Sequence, residues 1–378
     1  MISQSEQTVH VTQDFLAVHL VLFAVVVCFY GCDKVPSSSF PREAKWVVYQ
    51  ASSTGIANNV GNCVFTDGQG NVWIGTDSGA SFFSKNVWSN LYDSLTYINY
   101  IKIPPYSVVG SAVASITGGK DGSLWFGLVG GGVERFNKSN PGQAWIRYGD
   151  PDLPSNIVFG LAAEQQELGE VWVGTDNGIG RFVPADNPLN LNQGVWTTYT
   201  QQSDPTHVPL SFIGAVALNP IDNSIWLAVD YMQVEYYDID DDHWGEIYTL
   251  PPQVQATITS IAFDNTDHAW VGTYGGVGVL NVNTSVWEHF YNAQDPATQG
   301  HFPNSVVNCV TTDFVSDRWF GTNQGLVELN GTTCTLYTQQ NSPLPSDSVR
   351  GVGYDRSGNL WIATTDGVVE YNPLGTIQ

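Results

Sequence analysis

A ten-residue cassette, "GNVWIGTDSG" from Gly70 to Gly79, recurs along the chain and constrains the fold more than any other feature. It joins a turn, a short run of strand-forming residues and a second turn. Successive copies lie 42 to 54 residues apart, which is the length of one four-stranded propeller blade. The copies are centred on Trp73, Trp125, Trp172, Trp226, Trp270, Trp319 and Trp361.

A second series of aromatic segments alternates with the first. Each begins with tryptophan and ends with tyrosine, as in "WVVY" from Trp46 to Tyr49, except that Cys334 stands in the tryptophan position of the seventh. The other members begin at Trp88, Trp145, Trp196, Trp244 and Trp287. Together the two series contain all 13 tryptophans of the chain.

Each repeat reads as four short strands joined by Gly, Asp and Asn turns, which is typical of β-hairpins. The chain has 38 glycines and only 13% charged residues, which favours strands and tight turns over helices. One blade does not bury both of its faces, so the blades must stack. The sequence therefore predicts an all-β fold, a seven-bladed β-propeller of four-stranded antiparallel blades.

The order of the strands predicts how the ring closes. The segment 46–50 comes before any inner strand, whereas the chain ends just after a third strand, "VVEYN". We expect segment 46–50 to complete the last blade, so that residues 46–378 form one propeller domain. No linker is expected within it.

At these residues the sequence resembles the two-component regulator propeller repeat, in which Leu/Val-Trp-Ile-Gly-Thr is followed by a glycine turn and an apolar strand. "NVWIGTDSG" and "NLWIATTDGVVEYN" match closely, whereas the copy from Asn223 to Met232 lacks Gly-Thr and the turn glycine. The resemblance implies an extracytoplasmic sensing or binding propeller. Sensor proteins of this kind continue into a kinase, and we expect none here.

Two further resemblances concern enzymes. Asp67, Gly70 and Trp73 look like the Asp-box hairpin of sialidases, a folding device, but sialidase chemistry needs an arginine cluster and the chain has seven arginines, mostly on strands. A streptogramin-lyase-like propeller is another relative, yet no His/Glu pair is evident in the sequence. A lyase would need such a pair, mutually hydrogen-bonded, on the loop-rich face. We expect no enzyme activity.

The N-terminus has an apolar run from Phe15 to Cys32, followed by a polar Pro/Ser segment. A run ending in Gly-Cys before a spacer resembles a bacterial lipoprotein signal, with Cys32 as the lipidation site. Bulky Phe29 and Tyr30 and the lack of basic residues in 1–14 depart from that motif, so an uncleaved anchor and plain secretion stay open. All three alternatives place residues 1–32 as a signal or anchor, 33–45 as a tether, and the domain outside the cytoplasm, in the cell envelope.

Charge and cysteine content limit the partners. The net charge of −23 repels phosphate backbones, so we expect no nucleic acid, and contact with membrane only through the N-terminus. No cofactor and no metal site are predicted; the acidic segment Asp238–Glu246 reads as a solvated turn between a third and an outer strand. Cys63 and Cys309 take the same inner-strand position in non-neighbouring blades and are read as buried thiols. We expect a monomer.

We expect a ligand to bind on the face formed by the long loops that precede inner strands and by the turns between second and third strands. Aromatic rings among amides and carboxylates suit neutral polar ligands such as glycans, and equally a loop of a partner envelope protein. Per residue, lids over the blades and Asx turns are the alternative explanation. The candidates are Tyr97, Tyr100, Tyr106, His207, Phe212, His301, Phe302, Asp77, Asp176, Asp230, Tyr274, Asn323 and Asp366.

Overall fold

The computed structural model describes residues 44–84, 86–91, 112–137, 145–165, 169–185, 194–207, 212–295, 302–303, 306–312 and 317–373. Seven four-stranded antiparallel sheets run from Lys45 to Asn372. Each inner strand packs against the inner strand of the next sheet, and the last packs against the first. The fold is therefore the closed seven-bladed β-propeller that the repeats predict.

The strands fall into four classes, from the central channel outward. The inner strands are β2 (Gly61–Thr66), β6 (Val113–Gly118), β10 (Val158–Ala163), β14 (Ile213–Leu218), β18 (Ile258–Phe263), β22 (Val307–Thr312) and β26 (Val349–Tyr354). The second strands are β3 (Val72–Thr76), β7 (Leu124–Leu128), β11 (Val171–Thr175), β15 (Ile225–Val229), β19 (His268–Thr273), β23 (Asp317–Thr322) and β27 (Leu360–Thr364).

The third strands are β4 (Gly79–Ser84), β8 (Gly132–Phe136), β12 (Gly178–Pro184), β16 (Gln233–Asp238), β20 (Gly276–Asn281), β24 (Gly325–Asn330) and β28 (Gly367–Asn372). The outer strands are β5 (Val87–Leu91), β9 (Trp145–Tyr148), β13 (Gly194–Tyr199), β17 (His243–Thr249), β21 (Val286–Tyr291), β25 (Thr333–Tyr337) and β1 (Lys45–Tyr49). We number the blades 1 to 7 by their inner strands. One helical turn, α1 (Ala51–Thr54), follows β1, and no helix among the described residues is long and apolar enough to span a bilayer.

The ring closes through hydrogen bonds between the two ends of the domain. Strand β1 pairs antiparallel with β28, with Trp46 opposite Tyr371 and Lys45 opposite Asn372. The Trp46 and Tyr371 rings pack with their centroids 4.3 Å apart. The predicted closure by the N-terminal strand is thus confirmed.

The two aromatic series meet inside blades 2 to 7, where both partners are among the described residues. The tryptophan of the second strand stacks on the tyrosine that ends the outer strand, across the third strand between them. The stacked pairs, with centroids 5.6–6.2 Å apart, are Trp125–Tyr148, Trp172–Tyr199, Trp226–Tyr248, Trp270–Tyr291, Trp319–Tyr337 and Trp361–Tyr49. These central indoles are between 0% and 6% exposed, so they form the core of the ring.

In six of the seven blades a residue shortly before the central tryptophan accepts its buried indole N–H, since a buried donor without a partner is costly. The Trp319 indole is the exception and has no partner among the described residues. In the Asp-box turns the acceptor is a carboxylate: Trp73 donates to Asp67, Trp270 to Asp264 and Trp361 to Asp355, at 2.9–3.0 Å. In other blades a serine hydroxyl takes this role, as for Trp125 and Ser123. The Asp-box resemblance thus has a structural basis in the fold.

The glycine of the Trp-x-Gly-Thr motif makes room for the next blade. A Cβ on Gly75 would lie 2.9 Å from the Val113 side chain, and one on Gly127 would lie 2.6 Å from Val158. Val113 and Val158 each begin the following inner strand. The missing side chain therefore lets the neighbouring blade pack closely.

Candidate functional site

The turns between second and third strands lie beside the starts of the inner strands, on one face of the ring. In every blade, the first turn residue donates its backbone N–H to the carbonyl of the residue just before the inner strand, at 2.9–3.4 Å. The pairs are Asp77–Val60, Val129–Ala112, Asp176–Ile157, Asp230–Phe212, Tyr274–Thr257, Asn323–Val306 and Thr365–Ser348. The predicted face is thus a single surface, which we call the mouth face.

The structure places most of the predicted residues on this face. Asp77, Asp176, Asp230, Tyr274, Asn323 and Asp366 all lie in its turns. His207 and Phe212 lie in the segments before β14. Tyr97, Tyr100, Tyr106, His301 and Cys32 lie outside the described residues.

Phe302 differs from the expectation. It is 2% exposed and belongs to the core cluster that includes Phe320 and Val327. Leu344 and Leu153 are buried in the same way, each five residues before an inner strand. Phe302 therefore seals the blade from above and offers no ring to solvent.

Each inner strand carries a β-bulge at its second residue, next to the mouth of the channel. In all seven blades, residues one and three of the inner strand pair with successive residues of the second strand, which leaves residue two outside the ladder. The seven bulge residues are Asn62, Ala114, Phe159, Gly214, Thr259, Asn308 and Arg350. Bulges of this kind re-aim a side chain.

Polar bulge residues occupy four adjacent blades, 5, 6, 7 and 1; in blade 5 the Thr259 hydroxyl donates to the backbone carbonyls of Gly272 and Val307. Arg350 donates to the Asn62 amide oxygen at 2.9 Å and lies 3.9 Å from the Asp77 carboxylate. Asn62 in turn donates to Asp77 at 2.9 Å. Asn308 donates to Asn323, also at 2.9 Å. We call Asn308, Arg350 and Asn62 the polar arc.

Three aromatic rings lie across the mouth from the polar arc, in blades 3 and 4. The bulge residue Phe159 packs on Phe212 with centroids 5.0 Å apart. Phe212 stacks on Tyr231 at 4.6 Å, with 12° between the ring planes. Tyr231 is 47% exposed. We call Phe159, Phe212 and Tyr231 the aromatic platform.

The platform depends on the one repeat that departs from the motif. Where the other copies carry a turn glycine, this turn has Asp230 and Tyr231, both in the left-handed region, with φ of 50° and 71°. A side chain there costs about 1 kcal/mol or more per residue. The strained turn holds the Tyr231 ring in an exposed position. Backbone strain of this kind is often found at functional sites.

A buried histidine–carboxylate pair, which the sequence did not reveal, lies where the segment before β14 crosses blade 4. The His207 Nδ1 atom is hydrogen-bonded to the Glu235 carboxylate, and the His207 ring stacks on Trp244 with centroids 5.1 Å apart. Burial raises the pKa of Glu235 to about 8, with a further contribution from the charge of Asp204. The sequence did not reveal this His/Glu pair, because its partners lie 28 residues apart on different elements.

A cavity of about 620 Å³ opens on the opposite face, at the ends of the inner strands of blades 1 to 4. Phe65, Leu161 and Lys120 are among its lining residues. The Gln165 amide on its rim donates to the carbonyls of Gly118 and Ala163. That amide is therefore engaged within the fold, while Asp67, Lys120 and Ser123 are further polar residues of the lining.

The acidic turn and the cysteines have structural explanations. Asp238, Asp241 and His243 bring possible metal-ligating atoms within 4.8 Å of one another in the β16–β17 turn. However, Asp238 accepts the backbone N–H groups of residues 240 and 241, as in an Asx turn. Cys63 and Cys309 are free thiols, and burial raises the pKa of each to about 12.

The closed ring of four-stranded blades defines this chain as a seven-bladed β-propeller. The family model of the two component regulator propeller matches residues 54–78 and 343–366, so these stretches are repeats of that family. The first match runs from the end of α1 into the first cassette. The second runs from the segment before β26 into the last cassette. The resemblance seen in the sequence is thereby confirmed.

Known proteins resemble the chain over most of its length. Histidine kinase P4 of Formosa agariphila is 23% identical over 281 residues, which is 71% of this chain and 19% of that protein. The extracellular domain of a putative one component system from B. thetaiotaomicron has a TM-score of 0.62 and 18% identity, over 88% of this chain and 40% of that one. The chain thus spans less than half the length of both relatives.

A propeller enzyme shares the fold as well. Virginiamycin B lyase from Staphylococcus aureus has a TM-score of 0.61 and 16% identity, over 87% of this chain and 99% of that one. Identity this low shows a common fold only.

Proposed function

We propose that the chain is an extracytoplasmic binding propeller that captures a neutral saccharide at the mouth face without chemical turnover. The observation that carries the proposal is the aromatic platform, with strained Tyr231 at its exposed end, placed across the channel from the polar arc. The likeness to extracellular domains of sensor systems supports a sensing role.

The two sides of the mouth suit the two faces of a sugar. The C–H face of a pyranose packs on an aromatic ring, whereas its hydroxyls exchange hydrogen bonds with amides, carboxylates and guanidinium groups. The net charge of −23 disfavours polyanionic ligands and leaves neutral ones unaffected.

Thermal shift and calorimetry with a panel of short neutral oligosaccharides test the proposal. Because a ligand that binds only the native state stabilises it, we expect a rise of a few degrees in the melting temperature. Tyr231→Gly should abolish the rise, since it removes the ring and relieves the left-handed strain. Val195→Ala, on the exposed outer strand β13, is the matched control and should respond as wild type. A panel without any shift contradicts the proposal.

A partner protein is the second candidate, favoured by apolar side chains around the mouth. Val129, Met232 and Tyr274 are each between 39% and 55% exposed in turns of blades 2, 4 and 5. Exposed apolar residues around a concave centre suit a protein loop as well as a sugar. Recovery of a defined envelope protein with wild type, but not with Tyr274→Ala, would favour this candidate over the saccharide.

The histidine–carboxylate pair is the observation that keeps a lyase or hydrolase as a third candidate. The hydrogen bond from the Glu235 carboxylate to His207 Nδ1 orients the ring, an arrangement in which Nε2 would serve as a general base towards a substrate. Incubation with virginiamycin B, followed by mass spectrometry, tests it. A ring-opened product that His207→Ala no longer forms would overturn the non-catalytic proposal.

We also propose attachment to the cell envelope through a lipid on Cys32. Growth with a lipid probe should label the wild-type protein and leave Cys32→Ala unlabelled. A wild-type protein that carries no label would assign the N-terminus to one of the other two alternatives.

A further inference from the structure

The seven repeats allow the inner strands to be compared within one chain, position by position. At the first position six residues are Val or Ile and one is Gly, and all seven are buried. At the third position all seven are small: Cys63, Ser115, Gly160, Ala215, Ser260, Cys309 and Gly351. Packing between blades explains both restrictions; a Cβ on Gly160 would lie 2.7 Å from the backbone nitrogen of Val216.

The second position is different, because the bulge releases it from the ladder. Its seven residues range from Gly214 to Phe159 and Arg350, so neither size nor charge is dictated by the fold. The bulge itself is present in every blade. The backbone is thus uniform at this position while the side chain is free to vary, as expected where residues serve recognition.

The distribution of these side chains around the ring is ordered. Polar residues are contiguous in blades 5, 6, 7 and 1, with Thr259 in blade 5 before the polar arc, and Ala114, Phe159 and Gly214 are contiguous in blades 2 to 4. In a ring of seven, blade 7 lies opposite blades 3 and 4, so Arg350 and Phe159 lie at equivalent positions on opposite sides of the channel mouth. One side offers hydrogen bonds and the other offers apolar surface.

We propose that the bulge positions determine ligand specificity, and that the polar arc, Arg350 above all, reads the hydroxyl pattern of a saccharide whose apolar face rests on the aromatic platform. This rests on the proposed function. Arg350 is 42% exposed, and its recorded contacts among the described residues are those to Asn62 and Asp77. Its planar fork suits the bidentate recognition of two neighbouring oxygens.

Asn62 and Asn308 support the recognition of the ligand by Arg350 in different ways. Asn62 fixes the Arg350 guanidinium through its amide oxygen and is itself fixed by donating to Asp77. Asn308 donates to Asn323 and to the Val349 carbonyl at 2.7 Å, which ties the bulges of blades 6 and 7 together. Asn62 and Asn308 are positioning residues, and Arg350 is the residue that contacts the ligand.

The chain offers a matched control on the same blade. Arg356 lies just beyond the other end of β26, in an exposed turn on the opposite face of the ring. Removal of either arginine changes the net charge equally, but only Arg350 lies at the mouth. Any difference between the two variants therefore reports position and not charge.

The experiment measures affinities of the full chain, wild type and Arg350→Gln and Arg356→Gln variants, for pairs of oligosaccharides that are epimers at single hydroxyls. Wild type should discriminate between epimers, and Arg350→Gln should reduce that ratio about ten- to a hundredfold, the effect of one charge-assisted hydrogen bond. Arg356→Gln should retain the wild-type ratio. Equal melting temperatures of the unliganded wild type and variants verify that the variants are folded. If Arg350→Gln is unfolded, Arg350→Lys replaces it in the same measurement.

Other outcomes overturn the proposal in distinguishable ways. If Arg350→Gln keeps the wild-type ratio while Tyr231→Gly abolishes binding, a saccharide binds but the bulge residues do not select it. A uniform loss for all epimers would make Arg350 a structural residue only and overturn the specificity role. If wild type binds no saccharide, the proposed function and this inference fail together.

Discussion

Gly61 of blade 1 faces Ala363 of blade 7 where the ring closes, and a Cβ on Gly61 would lie 2.9 Å from the Ala363 methyl carbon. At five of the six other blade boundaries the sizes are reversed, whereas Ala228 and Ile258 hold the two positions between blades 4 and 5. Gly75 stands where Ala363 does, and Val113 stands where Gly61 does. The two positions adjoin one space between neighbouring blades, and at six of the seven boundaries one of them is glycine, so the larger side chain can come from either side.

This complementarity predicts a double-mutant cycle. Gly61→Val alone overfills the boundary and should lower the free energy of unfolding by about 1–3 kcal/mol. Combined with Ala363→Gly, which recreates the Gly75–Val113 arrangement, it should recover most of that loss. Urea denaturation of the four proteins measures the coupling; strictly additive effects would contradict the shared space.

The Asp-box carboxylate Asp264 should govern acid stability. Burial acts to raise its pKa, but hydrogen bonds from Arg318, Trp270 and Thr266 outweigh it and hold the pKa far below its usual value. The folded-state pKa is depressed, so the stabilisation is present above the unfolded pKa of about 4 and is lost as the pH falls below it. Asp264→Asn should cost about 2–4 kcal/mol at neutral pH and flatten the acid limb of the stability profile. An unchanged acid limb would refute the assignment.

Glu235 should change the dependence of stability on pH in the direction opposite to Asp264. Its folded-state pKa of about 8 lies above the unfolded value, so its contribution is present at acid pH and is lost as the pH rises through about 8. We expect wild type to lose stability between about pH 5 and 8 relative to Glu235→Gln. Melting temperatures across that range measure the difference. Glu288→Gln, at an exposed carboxylate bonded to His268, is the control and should parallel wild type.

Ring closure predicts unequal effects for two residues of β1. Trp46 packs on both Tyr371 and Tyr337, whereas Val48 on the same strand is 37% exposed. Trp46→Ala should lower the free energy of unfolding by about 2–4 kcal/mol, and Val48→Ala by less than about 1 kcal/mol. Chemical denaturation distinguishes them, and equal effects would mean that β1 contributes little to holding the ring closed.

The fold could be predicted from the sequence because each motif residue has a local structural role that recurs from repeat to repeat. Trp73 needs an acceptor in its own turn, and Gly75 needs to be small for the next blade. The bulges could not be predicted from the sequence, because a bulge is a property of strand pairing. The residue that it releases from the ladder has no preferred residue type. The His207–Glu235 contact joins two elements whose proximity depends on how blades 3 and 4 stack. The burial of Phe302 follows from a loop position that sequence alone assigned to the surface.

The pairing of Lys45 with Asn372 has a directional consequence. Both residues lie at the end of blade 7 remote from the bulges, since β1 runs from Lys45 towards the mouth and β28 runs from the mouth to Asn372. A segment that precedes Lys45 or follows Asn372 therefore joins the ring on the face opposite the mouth face. The polar arc and the aromatic platform are therefore remote from both points of attachment.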